Sequence, residues 1–198
     1  MNIIFFIKSA TISLNNYTIK DIPGSSGRLD VISRCILAAL LNRGKFEKSV
    51  KVWVFLDNYK SYIFDPQSFI YDNFPKNEIR FTDYFVDIIL NRNRNEENVN
   101  NPLRFAKISK ISIIEAITKF QKMNYNLFIL KEDGDDFFRL RNDIGVRSNL
   151  IFIIGSQDDN FLDSEELSIL NIRRISIGTH SYLASSVIRL LKLHLLVL

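Results

Sequence analysis

Ile175-Ser-Ile-Gly-Thr-His-Ser-Tyr-Leu-Ala-Ser-Ser186 is the stretch on which the reading of this chain turns. Arg174 to Ile177 reads as a short buried strand that stops on Gly178, runs through a cluster of hydroxyl side chains and enters a helical pattern. In that helix Leu183, Val187, Leu190, Leu191, His194 and Leu198 make a broad apolar face. A face of that width is expected to serve both the core and a contact between subunits. Strand ends of this kind are where α/β sheets gather their ligands.

Upstream, the same strand signal recurs. Isoleucine and phenylalanine fill Asn2 to Ile7, and β-rich runs follow at Lys51 to Leu56, Leu127 to Leu130 and Leu150 to Ile154. Between them, Leu29, Ile32, Ile36 and Leu40 recur at helical spacing, and Ile108, Ile111, Glu115, Ala116 and Phe120 do so less cleanly. Strands alternating with helices predict an α/β fold, a mostly parallel sheet flanked by helices. Asn91 to Asn101, rich in asparagine and without apolar period, reads as an exposed loop. It divides two halves of similar size, but no repeat or linker marks a boundary, and one domain over residues 1–198 is expected.

Composition narrows the class. With 198 residues, 46% of them hydrophobic, the chain is long enough for a sizeable core. Its 26 lysines and arginines against 22 acidic residues leave a charge of +4, a modest excess that helps a polyanion approach. The lone Cys35 rules out an internal disulfide and a cysteine-based zinc site, which points to a reducing, cytoplasmic setting. Met1 to Ala10 lacks a basic leader and a cleavage pattern, and the apolar end is interrupted by Arg189, Lys192 and His194. Neither a signal peptide nor a membrane anchor is read.

Three strand ends carry chemistry between them: Leu130-Lys-Glu-Asp-Gly134, Ile151-Phe-Ile-Ile-Gly155 with the polar turn Ser156 to Asn160, and the stretch quoted first. Singly each is ordinary punctuation; together they describe a pocket lined by backbone. Asp21-Ile-Pro-Gly-Ser-Ser-Gly-Arg-Leu-Asp30 brings Ser25, Ser26, Arg28 and Asp30 to a helix N-terminus, suited to an anion. The plainer alternative is that Ser26 or Asp30 caps the helix while Arg28 is solvated. Arg28 and Asp30 share a pocket only if Arg28 precedes the first turn. His180 and His194 are too few for a histidine metal site, no metal is expected, and neither is a catalytic candidate. Hydrolase, P-loop, zincin, zinc-ribbon and GxGxxG dinucleotide signatures are absent.

Taken in order, DIPGSSGRLDVISRCILAAL, the strand FIIG at Phe152 to Gly155 and RRISIGTHSYLASSVI at Arg173 to Ile188 resemble the archaeal tRNA pseudouridine-54 N1-methyltransferases of the SPOUT, or α/β-knot, class. The resemblance runs over nearly the whole chain. It implies a C-terminal trefoil knot, S-adenosylmethionine (SAM) as cofactor, tRNA as partner and a homodimer. On the matching positions Leu130, Gly155, Ser176, Ile177, Gly178, Leu183 and Ser186 would line the cofactor site. Two departures stand out: Gly155-Ser-Gln-Asp-Asp-Asn160 replaces the Gly-Asp-His-x-Gly of many relatives, and a serine stands near position 186 where a cysteine is common.

The implied chemistry uses the free N1–H of pseudouridine as nucleophile toward the sulfonium methyl. Asp30 is the expected partner for the departing proton and Arg28 the group that holds the base or its phosphate. Arg34, Arg104, Lys107 and Lys110 are the expected contacts to the RNA backbone. The rival readings are methylation of a pseudouridine in small-subunit ribosomal RNA, a knotted RNA-binding protein without catalysis, and a nucleotide-binding regulatory domain.

Overall fold

The computed structural model describes residues 1–91, 99–145, 149–155, 160–178 and 180–196. Its centre is β1 (Asn2–Ser9), whose Ile3, Ile4, Phe5, Phe6 and Ile7 are all buried. A strand apolar on both faces belongs inside a sheet covered on both sides. In chain order there follow α1 (Ile22–Ser26), α2 (Leu29–Leu40), the small hairpin of β2 (Leu41–Asn42) and β3 (Lys45–Phe46), then β4 (Val50–Leu56) and β5 (Ser61–Phe64). Next come α3 (Glu78–Asn91), β6 (Lys107–Ser109), α4 (Ile113–Lys122), β7 (Asn126–Asp136) and α5 (Phe137–Gly145). The chain closes with β8 (Asn149–Ile154), α6 (Glu165–Ser168), β9 (Arg173–Ser176) and α7 (Ala184–Leu196).

Seven strands form one sheet in the order β6-β5-β4-β1-β8-β7-β9. The block from β4 to β9 is parallel, and β5 and β6 add an antiparallel edge. The expected mostly parallel sheet flanked by helices is therefore the one observed. On one face Ile3, Phe5, Val52 and Phe152 pack beneath α2, α3 and α7; on the other Ile4, Phe6, Ile151 and Ile153 pack against α4 and α6.

Two expectations are corrected. The pattern from Ile108 to Phe120 is not one helix: Ile108 lies in β6, paired with Tyr62, and the helix starts only at Ile113. Ser112 sets that start, its hydroxyl accepting from Glu115 N at 3.2 Å while the Glu115 carboxylate accepts from Ser112 N at 2.7 Å, a reciprocal cap stronger than the loose periodicity before it. The reading of 91–101 as an exposed loop fails at its ends and lies outside the described residues at 92–98. Asn91 belongs to α3, and Asn101 is fully buried, its amide donating to Tyr84 O at 2.8 Å and Asp87 Oδ2 at 2.7 Å.

The feature that shapes the site lies between β7 and β9. Leu130 and Asp135 both pair with Ile175, so the intervening residues bow around that one position. Gly134 makes the approach possible: a Cβ there would lie 2.6 Å from Ile175 N and C.

Candidate active site

A cleft of about 300 Å³ opens at the ends of β8 and β9, beside the bowed part of β7. Its first wall is backbone and apolar: Leu130, Ile154, Gly155, Ile175, Ile177 and Leu183 face it. Ser176 is buried and fixes the turn that follows, donating to Gly178 O at 2.7 Å and accepting from Gly178 N at 3.1 Å. Leu162 packs so close to Gly155 that a Cβ there would meet its Cγ at 2.9 Å. Of the seven cofactor positions expected, Leu130, Gly155, Ser176, Ile177, Gly178 and Leu183 line the cleft. Ser186 sits in the first turn of α7 and is not among its lining residues.

The second wall comes from the other end of the chain. Asp21 caps α1 by accepting from Gly24 N at 3.1 Å, and Gly27 closes it in the left-handed region at φ 62°. No other residue fits there, since a Cβ on Gly27 would fall 1.9 Å from Thr11 O. Ser26 accepts from Leu29 N at 3.0 Å and donates to Ile22 O at 2.5 Å, and Ser25 is engaged with Thr18 and Asp21. Both serines are thus spent on local structure rather than on an anion.

Arg28 precedes the first turn of α2 and is itself left-handed, φ 71°, a strained conformation for a residue with a side chain. The condition for Arg28 and Asp30 to meet is satisfied: Arg28 Nε donates to Asp30 Oδ1 at 3.3 Å. Arg28, half exposed, lines the cleft together with Val31. Asp30 does not line it. It stands behind Arg28, 4% exposed, with its second oxygen accepting from Arg34 Nη2 at 2.9 Å.

The expected RNA contacts scatter. Arg34 is held by Asp30 and lies 3.4 Å from Glu78 Oε2. Arg104 donates to Val99 O and covers the Phe105 ring at 4.5 Å. Lys107 and Lys110 are exposed at the β6 edge. Six inter-strand steps of about 4.8 Å, roughly 29 Å in all, separate that edge from β9. Lys110 instead borders a second, larger cleft with Lys8 and Lys60.

Sequence reasoning singled out neither Tyr182 nor His180, which it set aside as a catalytic candidate, yet both line the first cleft, as does Lys131, whose ammonium pairs with Asp163 and lies 3.8 Å from Asp133. That pairing holds the Asp163 carboxyl below its usual range. The polar run between strand and helix was the only signal for the first two. Burial pushes the Cys35 thiol up to about 12, so it is no nucleophile. Among the described residues no group of three His, Cys, Asp or Glu could hold a metal ion, and no helix is long and apolar enough to cross a membrane.

Comparison with known proteins places the chain in a family. The model of a family described as "Putative SAM-dependent RNA methyltransferase" matches residues 1–198. The tRNA (pseudouridine(54)-N(1))-methyltransferase of Pyrococcus abyssi is 29% identical over 206 residues, covering 97% of this chain and 96% of the relative. The protein of the same name from Thermococcus onnurineus is 26% identical over 185 residues, 87% of this chain and 86% of the relative. Among solved structures, Archaeoglobus fulgidus Nep1 bound to S-adenosylhomocysteine superposes with a TM-score of 0.68 at 14% identity, covering 98% of this chain and 97% of that one. The fold is shared with that structure, and by the match along its full length this chain belongs to the SAM-dependent RNA methyltransferase family.

Proposed function

We propose that the protein transfers the methyl group of SAM to N1 of pseudouridine 54 in the T-loop of tRNA. The observation that carries this is the cleft itself: an apolar, backbone-lined wall faces one guanidinium, Arg28, in a chain whose relatives of matching length bear that activity in their names.

The residues present fit SAM. A flat apolar ring suits the slot between Leu130, Ile154 and Ile177, and the turn fixed by Ser176 offers backbone polar groups at its edge. The departure after Gly155 lies at 156–159, outside the described residues, while Gly155 itself stays open to the cleft. When bound, SAM supplies an electrophilic methyl on a sulfonium.

The chain's own task is to align the base and stabilise charge. A pseudouridine turned out of its loop enters beside Arg28 and exchanges water for a fixed guanidinium. As N1 loses its proton to water, negative charge spreads onto the neighbouring carbonyl oxygens, and Arg28 stabilises it. Asp30, with both oxygens engaged by arginines, orients Arg28 instead of taking the proton.

Further parts of the reading rest on lesser support. The fold shared with the Nep1 structure supports a C-terminal trefoil knot. Leu193, 54% exposed on α7, supports a homodimer through that helix. A single domain is supported by strands from both ends of the chain sharing one sheet. Arg104, Lys107 and Lys110 would touch tRNA away from the target loop, and a cytoplasmic location follows from such a substrate.

The test is transfer from labelled SAM to two T-loop RNAs, one with pseudouridine and one with uridine at the target position, with the product nucleoside identified by mass spectrometry. Transfer confined to the pseudouridine RNA, giving N1-methylpseudouridine, is the expected result. Cofactor binding without transfer to either RNA would overturn the choice of substrate, and no cofactor binding would overturn the enzyme.

A further inference from the structure

Four charged side chains form an unbroken line from α3 to the cleft. Glu78 Oε2 lies 3.4 Å from Arg34 Nε, Arg34 Nη2 donates to Asp30 Oδ2 at 2.9 Å, and Asp30 Oδ1 accepts from Arg28 Nε at 3.3 Å. Signs alternate along the line, so each member is attracted to the next. Asp30 is almost fully buried, whereas Glu78 and Arg34 are about one third exposed and Arg28 half exposed. A buried carboxylate between two guanidiniums is a rigid joint, because leaving either oxygen unpaired there is costly.

The outer end of the line is fixed as well. Glu78 is the first residue of α3, where a carboxylate is favoured by the helix dipole and Asn77 accepts from Ile79 N at 2.9 Å. One turn on, the Thr82 hydroxyl lies 2.8 Å from Ser33 Oγ in a fully buried contact between α3 and α2. That bond sets the two helices side by side and so sets the distance from Glu78 to Arg34. At the inner end, Arg28 sits in a strained backbone conformation that the surroundings must hold.

We infer that Glu78 and Arg34 are positioning residues for methyl transfer, acting through Asp30 to hold the Arg28 guanidinium at the cleft, and that Arg34 is not a contact to the RNA backbone. This rests on the function proposed above, in which Arg28 meets the base. Arginine suits the middle of the line because its planar fork donates to Asp30 through Nη2 while Nε, buried and without a hydrogen-bond partner among the described residues, keeps its charge within ion-pair distance of Glu78, which a lysine ammonium does less well.

The two roles for Arg34 predict opposite signs for one variant. If Arg34 reached a phosphate, Glu78→Gln would release it from a competing carboxylate, and RNA would bind more tightly. As a positioning residue, Glu78→Gln should lower kcat about 3- to 10-fold with the KM for RNA and the Kd for SAM nearly unchanged. Arg34→Gln should lower kcat further, with the dependence of RNA affinity on salt unaltered. Loss of a phosphate contact would reduce that slope by about one unit. Arg34→Lys should recover part of the loss.

A readout free of turnover separates this inference from the reading of function. The Arg28 Nε–H proton, followed by ¹⁵N–¹H NMR, should be a distinct, slowly exchanging signal in the intact protein, broadened in Glu78→Gln and lost in Asp30→Asn. Tighter RNA binding by Glu78→Gln, a shallower salt slope in Arg34→Gln, or an Arg28 signal indifferent to Glu78 would each overturn the line. An inactive wild-type protein whose Arg28 signal still answers to Glu78 would overturn the substrate alone.

Discussion

Replacing Gly134 by alanine tests the architecture of the cleft's first wall directly. The added Cβ would lie 2.6 Å from Ile175 N and C and 2.7 Å from its Cα, where ordinary contact begins near 3.4 Å. Some 0.8 Å must therefore be found, and from backbone rather than from a side chain that could swing away. Neither strand can give easily, because β7 is bonded to Ile175 on both sides of the bow, through Leu130 and Asp135. Overpacking in cores costs about 1–3 kcal/mol, and a backbone clash belongs at the top of that range. For a chain of this size about 3 kcal/mol lowers Tm by roughly 6–12 °C. Leu130, Lys131, Glu132, Ile175 and Ser176 all lie on the displaced wall, so the Kd for SAM should rise at least about tenfold. Differential scanning calorimetry and isothermal titration measure the two effects separately. Gly44→Ala is the control: no atom lies within 4 Å of its Cβ, and only the positive φ of 82° opposes it, at about 1–2 kcal/mol with no change in SAM affinity. A Gly134→Ala protein as stable as that control, binding SAM normally, would refute the tight bow.

Other residues give shorter tests. Lys192→Met should cost about 2–4 kcal/mol in chemical denaturation, since it strands buried carbonyls at Ala38 and Ala39 that the ammonium now serves at 2.8 and 2.6 Å. Burial pulls the Lys192 ammonium down to about 8 from 10.5, against the opposing pull of Glu47 and with help from Arg189. The unfolded chain therefore binds more protons between those values, and wild-type stability should rise relative to Lys192→Met as pH goes from 8 to 10.5. A flat difference across that window would contradict the burial. Cys35, with its thiol pushed up to about 12, should resist iodoacetamide in the native protein at pH 8 and react fully in urea, as read by mass spectrometry. On the homodimer proposed above, Leu193→Glu should shift the protein toward monomer in sedimentation velocity; a wild-type protein that is already monomeric, or a dimer unchanged by the substitution, would overturn a contact through the exposed side of α7.

Strands β1, β4 and β8 and the start of β7 were legible because each carries an apolar run bounded by turn residues, which leaves little else for such a run to be; β9, opening on Arg173 and Arg174, was legible only from its end at Ile177 and Gly178. Helix α2 was legible from Leu29, Ile32, Ile36 and Leu40, all of them buried. The edge strand β6 was not: three residues with one apolar side chain carry no period, and the pairing of Ile108 with Tyr62 is a long-range event. Helix α3 escaped although its cap, Asn77, stands directly before it. Its partner residues, Asn101 and Ser33, lie elsewhere in the sequence, and only folding brings them to it. In the site, Gly155, Ser176 and Gly178 marked the lining of the cleft, whereas Gly134, read as a strand end, lies inside β7. That Asp30 is held between Arg28 and Arg34 could not be read, because charge says nothing of what a neighbour has already claimed.

How the two walls hold their spacing follows from two helices. Helix α2 begins at the cleft with Arg28 and Val31, and α7 begins there with Ala184 and Val187. Both run away from it and pack together, so they lie parallel, and eight residues beyond Val31, about 12 Å along the axis, the chain has reached Ala39. There Lys192 from α7 donates to the terminal carbonyls of α2, with Leu41 O a third acceptor at 3.0 Å. Parallel helices oppose one another through their dipoles, and a cation at the C-terminal end of α2 offsets that repulsion where it is strongest. Helices pinned at the far end and packed along their length leave little room for the near ends to drift. The distance from Arg28 to the wall at Ile177 is thus set by contacts far from either residue. For a reaction that depends on aligning a base with a methyl group, such remote control of spacing matters as much as the groups that line the cleft.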